Sequence, residues 1–114
     1  MRMIEPMAIY VDPMMPTKRT RQWPFSASCH LYADTLDELD SFAAQLGLKR
    51  AWFQKEEDTG LDHYDLTANK RRLAVKLGAM PQTIREAATL FMARSRERRQ
   101  RHGTDELHHK GAGG

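Results

Sequence analysis

Thr35-Leu36-Asp37-Glu38 constrains this chain more than any other stretch. A threonine with a glutamate three residues on is a capping box, in which the hydroxyl accepts from the Glu38 amide and the carboxylate returns to the Thr35 amide. Leu36, Leu39, Phe42, Ala43 and Leu46 then follow at helical spacing, and Gly47 supplies a left-handed residue to end the helix. Just ahead, Ser26 to Ala33 alternates as a strand does. Ala27, Cys29, Leu31 and Ala33 form its apolar face, and Ser26, Ser28, His30 and Tyr32 a polar one. A strand running into a capped helix implies a mixed α/β fold.

The neighbouring segments extend that reading. Met7-Ala8-Ile9-Tyr10-Val11-Asp12 is a strand signal, with β-branched and aromatic residues, and Pro13 ends it, leaving Asp12 at its C-terminal end. Residues 13–25 read as a long loop with Lys18, Arg19 and Arg21; loops of that length in compact domains are often functional. Arg50 to Lys55 reads as a further strand, which with the capped helix makes a right-handed βαβ unit. An acidic loop over 56–62 leads to His63-Tyr64-Asp65 and a helix from about Thr67 to Leu77, stopped by Gly78. Ala79 to Gln82 is a short strand or a turn. Thr83 and Glu86 form a second capping box for a helix over about 84–101.

The expected fold is α/β. It has a small three- or four-stranded, at least partly parallel sheet, a βαβ unit and a long C-terminal helix. The expected core is Ile9, Val11, Leu31, Leu39, Phe42, Leu46, Phe53, Leu73, Leu77 and Ile84. The 114 residues suit one domain, read as a compact unit over 1–93, a basic helix extension over 94–101 and a disordered tail over 102–114. No apolar run approaches the ~20 residues of a membrane span, and the start lacks a signal peptide's apolar segment. A cytoplasmic protein is expected. The single cysteine, Cys29, rules out an internal disulfide and multi-cysteine zinc sites, and its place in a strand reads as a small buried hydrophobe.

The net charge of +3 is unevenly spread: six arginines against Glu86 and Glu97 give residues 85–101 a local +4, leaving about −1 for the rest. Arg94, Arg98 and Arg101 share one helical stripe that can track the phosphates of nucleic acid. The plainer reading is a solvated helix end whose cations suit its own dipole.

Val11-Asp12-Pro13, His30-Leu31, Asp34-Thr35, Glu38-Leu39, Phe42-Ala43, Leu46-Gly47-Leu48, His63-Tyr64-Asp65 and Leu77-Gly78-Ala79 together resemble a small bacterial and phage family, a domain of unknown function, over roughly residues 7–90. Family members carry a histidine where this chain has Asp40, which makes Asp40 a surface residue on this reading. The resemblance implies a compact α/β domain with shared polar positions at Asp12, His30, Asp34, Arg50, His63 and Asp65. It brings no activity with it.

Three chemistries follow. The first is binding of a small anionic, phosphorylated, nucleotide-like ligand by Asp12, His30, Asp34, Arg50, His63, Tyr64, Asp65 and Lys70. Lys70, Arg71 and Arg72 open a helix whose dipole disfavours cations, a hint of a visiting anion. The loop cations Lys18, Arg19 and Arg21 can join them, and Trp23, Trp52 and Tyr64 can stack on a base. This reading requires no cofactor. The second is a metal-dependent phosphoesterase or nuclease in which Asp12, His30, His63 and Asp65 hold a divalent ion. No known ligand spacing supports it, and the plainer reading is two hydrogen-bonded structural histidines. The third is nucleic-acid binding by Arg94, Arg98 and Arg101. No GxGxxG or Walker loop is present, and Ser28 beside His30 has no nucleophile elbow around it.

Overall fold

A computed structural model describes residues 8–55 and 61–113, with side chains on the last helix described to Gln100 except Arg98. Five strands form one sheet: β1 (Ile9–Val11), β2 (Met15–Pro16), β3 (Ala27–Ala33), β4 (Tyr64–Leu66) and β5 (Met80–Pro81). Three helices accompany them: α1 (Leu36–Gln45), α2 (Ala68–Lys76) and α3 (Ile84–Gly113). The fold is mixed α/β, as the alternation and caps imply.

β3 is the central strand. Leu31 pairs antiparallel with Val11 on one edge and with Tyr64 on the other. β5 adds to the far side of β1 in parallel, so the parallel pair is β1–β5. β2 continues along β3 beyond β1, but from Val11↔Leu31 to Met15↔Ser28 the chain advances four residues against three. One extra residue in one strand is a β-bulge, which bends the strand and re-aims its side chains. It falls immediately after Asp12.

The apolar face of β3 packs under α1 and α2. Ile9, Val11, Cys29, Leu31, Leu39, Phe42, Leu46, Tyr64, Leu66 and Ala74 form one buried cluster. The opposite face carries a second, smaller cluster of Tyr32, Leu61 and Ala87, with Tyr10, Leu90 and Phe91 against it. α3 therefore covers the face that the sequence marks as polar, and helices lie on both sides of the sheet.

The helix ends follow from local chemistry. Thr35 and Thr67 accept from the Glu38 and Lys70 amides at 3.2 Å each. Thr83 and Glu86 form the reciprocal box, at 2.8 and 3.1 Å. At Thr35 the box is altered: Glu38 accepts from the Thr35 hydroxyl and, through its other oxygen, from the Ala8 amide, tying α1 to the start of β1. α1 and α2 both end in Schellman motifs, Leu48 N–H to Ala43 O and Ala79 N–H to Ala74 O, with Gly47 and Gly78 at positive φ.

Several expectations are corrected. Residues 50–55 are not a strand, and the βαβ unit expected there is absent. Arg50–Trp52 is one 3-10 turn closed by Trp52 N–H to Lys49 O, followed by a single bridge, Gln54↔His63. Both edges of β3 are already taken, by β1 and β4, so this segment has no place beside it. His63 to Asp65 does lead to the expected helix, but through β4, with α2 beginning just past its Thr67 cap. Leu73, Leu77 and Ile84 are exposed rather than core, because the small side chains of Ala74 and Ala87 make the close approaches of α2 and α3. Phe53 is only partly buried. Helical backbone continues to Gly113, past the expected end near residue 101. Glu56, Glu57, Asp58 and Gly60 of the acidic loop lie outside the described residues. No helix among the described residues is long and apolar enough to cross a membrane.

Candidate metal centre

Strand register assembles the site. His30 on β3 stands directly opposite Asp65 on β4. His63 lies two residues before Asp65 and therefore on the same sheet face. Its backbone is held by two hydrogen bonds to Gln54, at 2.8 and 3.0 Å. From the other edge of β3, Asp12 reaches in at the end of β1, beside the bulge. Directly opposed cross-strand side chains stand ~4.5–5.5 Å apart at Cβ, and diagonal ones remain within reach of long side chains. The result is a row of imidazoles and carboxylates across three strands.

Asp12 is nearly buried, and both carboxylate oxygens are used on His30. Oδ1 accepts from the His30 backbone N–H at 2.6 Å, and Oδ2 stands 2.8 Å from His30 Nδ1. A carboxylate at Nδ1 holds the proton there in the neutral ring and leaves the Nε2 lone pair as the donor. His63 is set the same way by a different group: its Nδ1 donates to the Leu61 carbonyl at 3.2 Å. Its Nε2 lies 3.6 Å from Asp65 Oδ1. That is too long for a hydrogen bond, yet two ligands of one ion sit roughly 3–4 Å apart. The two imidazoles meet edge to face, with centroids 4.7 Å apart. One donor atom from each of His30, His63 and Asp65 lies within 4.8 Å of the others. Two imidazoles and a carboxylate suit zinc, manganese or iron.

The cluster is sheltered but reachable. His63 is buried, while about a third of the His30 and Asp65 side chains is exposed. Phe91 of α3 presents its ring to His30 at 6.4 Å, so α3 forms one wall.

The other residues singled out in the sequence go elsewhere. Asp34 accepts from the Tyr10 hydroxyl at 3.1 Å and pairs with Arg94 at 3.2 Å, pinning α3 to the end of β3. Tyr64 points into the main core, and its hydroxyl donates to Asp40, which also pairs with Arg50 at 3.4 Å. Asp40 is thus a structural partner rather than a bare surface residue. Arg50 also lies over the Phe53 ring. Lys70 Nζ donates to the Leu46 carbonyl at 2.6 Å, placing its charge at the C-terminus of α1, where the helix dipole favours it. Arg71 Nε donates to the Asp12 carbonyl at 2.8 Å. Among the nucleic-acid candidates Arg94 is the one tied to Asp34; the Arg98 and Arg101 side chains lie outside the described residues. Cys29 is buried, and desolvation followed by the nearby Asp12 charge pushes its thiol up to about 12, so it is an inert core group.

Two further residues complete the surroundings. Leu61 supplies the carbonyl that sets His63. Tyr32 is fully buried beside the site and donates to Gln82 at 2.6 Å. Only the strand pairing brings them in.

These features define a small α/β domain with a two-histidine, one-carboxylate cluster on a helix-covered sheet face. The chain belongs to the family described as Protein of unknown function (DUF4031), whose model matches residues 9–94. No match was found among curated proteins or solved structures.

Proposed function

We propose that this protein is a metal-dependent hydrolase of phosphoester bonds. In this reading His30, His63 and Asp65 hold one divalent ion, and Asp12 orients His30. The observation that carries it is the set of three donors within 4.8 Å, with both histidines held through Nδ1 and Nε2 of His63 standing 3.6 Å from Asp65.

Such an ion supplies water activation at neutral pH and stabilises charge on a phosphoryl oxygen. Three protein ligands leave open positions for water and substrate, the pattern of catalytic rather than structural zinc sites. The chain's own contribution is orientation and shelter. Asp12 and Leu61 lock the two rings, and Phe91 limits water on one side. The exposed edges of His30 and Asp65 admit a substrate. The anionic ligand expected from the sequence enters this reading as the substrate. Arg71 donates to the carbonyl of Asp12, the residue that orients His30.

The test is elemental analysis of the purified protein after dialysis against zinc, manganese or ferrous ion, joined to hydrolysis of bis-p-nitrophenyl phosphate. We expect one ion per chain, a stability gain of about 2.7 kcal/mol at a hundredfold excess over Kd, and loss of metal and turnover in His63→Ala. A protein that takes up none of the three ions overturns the reading.

A further inference from the structure

We infer that a second surface, on the α2 side of the sheet, seats single-stranded nucleic acid. This inference rests on the phosphoester reading only in naming its substrate class. A groove of about 550 Å³ lies where the β2–β3 loop meets the start of α2, lined by Met14, Arg19, Phe25, Ala27, Thr67 and Lys70 among others. That volume falls within the ~300–1,000 Å³ of small-molecule sites.

Charge chooses the occupant. Arg19 comes from a loop that also carries Lys18 and Arg21, and Lys70 is followed on α2 by Arg71 and Arg72. Among the described residues no carboxylate lies within ion-pair distance of any of the six. The hydrogen bonds of Lys70, Arg71 and Arg72 go to neutral acceptors, the Leu46 and Asp12 carbonyls and the Asn69 side chain. Their positive charge is therefore left for an anion. Arg19 and Lys70 line the groove and Lys18, Arg21, Arg71 and Arg72 flank them in sequence, a supply of charge that suits a polymer of phosphates.

The apolar part of the groove adds the second requirement. Phe25 lines it with nearly half its surface exposed. Trp23 holds it edge to face at 5.1 Å and is itself anchored by its indole N–H on the Ala27 carbonyl at 3.2 Å. An exposed, braced aromatic among cations is the arrangement on which unpaired bases stack. A duplex hides its base faces and gains nothing from Phe25. Met14 packs against the α1–α2 core and Lys70 belongs to α2, so the groove opens on the sheet face opposite the cluster.

The experiment uses the full chain in chelator, so that no metal contributes. Fluorescence anisotropy is followed for labelled oligo-dT and oligo-rU of about 12 nucleotides, within the footprint of small single-strand binders. We expect binding that weakens with salt. Replacing Lys18, Arg19 and Arg21 together by alanine should cost at least about tenfold and flatten the salt slope by up to about 2, at ~0.7 per lost phosphate contact. Phe25→Ser, a single exposed change, should weaken binding without altering the salt slope, which keeps the test open if the triple variant folds poorly. His63→Ala should bind as the parent does. The two oligonucleotides distinguish DNA from RNA as the source of the strand. The inference is overturned if neither oligonucleotide binds at low salt, or if loop and Phe25 variants bind unchanged. It is equally overturned if a duplex competes as well as a single strand, or if replacing Arg94, Arg98 and Arg101 removes the binding instead. Metal content is measured separately, so failure here leaves the metal reading standing, and a metal-free protein leaves this one standing.

Discussion

Asp12 grips His30 twice, with Oδ1 on its backbone amide at 2.6 Å and Oδ2 on its ring at 2.8 Å. One buried carboxylate thus holds β1 against β3 and sets the direction of an imidazole. The one-residue bulge after Asp12 accompanies this arrangement, since a regular strand would carry the chain straight past His30.

Asp12→Asn separates the two roles. The amide oxygen can still accept from the His30 N–H, but the amide nitrogen cannot accept from Nδ1. The expected outcome is a folded protein whose affinity for zinc falls by about 10–100-fold, the usual loss for an orienting partner of a ligand histidine. Competition against a chromogenic chelator measures it, and an unchanged affinity removes Asp12 from the site.

Core and surface leucine-rich positions should respond very differently. Phe42 is fully buried between α1 and the sheet, and Phe42→Ala should cost about 3–5 kcal/mol. Leu77, which helical spacing places in the core, is 41% exposed. Leu77→Ala should cost under about 1 kcal/mol. Urea denaturation of the two variants checks the assignment directly.

Tyr32→Phe keeps the ring under α3 and deletes its bond to Gln82. A net loss of about 1 kcal/mol is expected. Gln82 also donates its backbone N–H to the Val11 carbonyl at 2.8 Å, so the loss should be accompanied by faster hydrogen exchange at that amide.

Stability should fall in alkali. Burial raises the Cys29 thiol from 9.0 to about 12, and burial raises Tyr32, Tyr64 and Tyr10 in the same direction. Each group keeps its proton longer in the folded chain than in the unfolded one. Their contribution is complete below the unfolded values and is lost as pH climbs toward the folded ones. Urea midpoints should therefore drop between 9 and 12 for the parent, and drop less for Cys29→Ala, once compared with their own neutral-pH values. In the native protein Cys29 should resist iodoacetamide at neutral pH; rapid alkylation would show that it is not buried.

Local chemistry was legible in the residues. Thr35 and Thr83 do cap their helices, Gly47 and Gly78 do end theirs, and alternation correctly buries Cys29 and Leu31. The misreadings share one cause. Residues 50–55 have strand-like composition but no open edge of β3 to join. Leu73 and Leu77 have helical spacing, but Ala74 makes the close contact.

The sequence by itself determined where the helices begin and where α1 and α2 stop, which strand face is apolar, and that His30, His63, Asp12 and Asp65 are polar groups beside a core. These depend on neighbours within a few residues, where capping and periodicity act. Only the tertiary structure decided that the four meet. Their meeting depends on the register of β3 with β4 and on the bulge after Asp12, which join residues tens of positions apart. Slipping a strand pair by one residue moves every side chain to the other face. The same histidines and carboxylates in another register would be scattered, structural and silent.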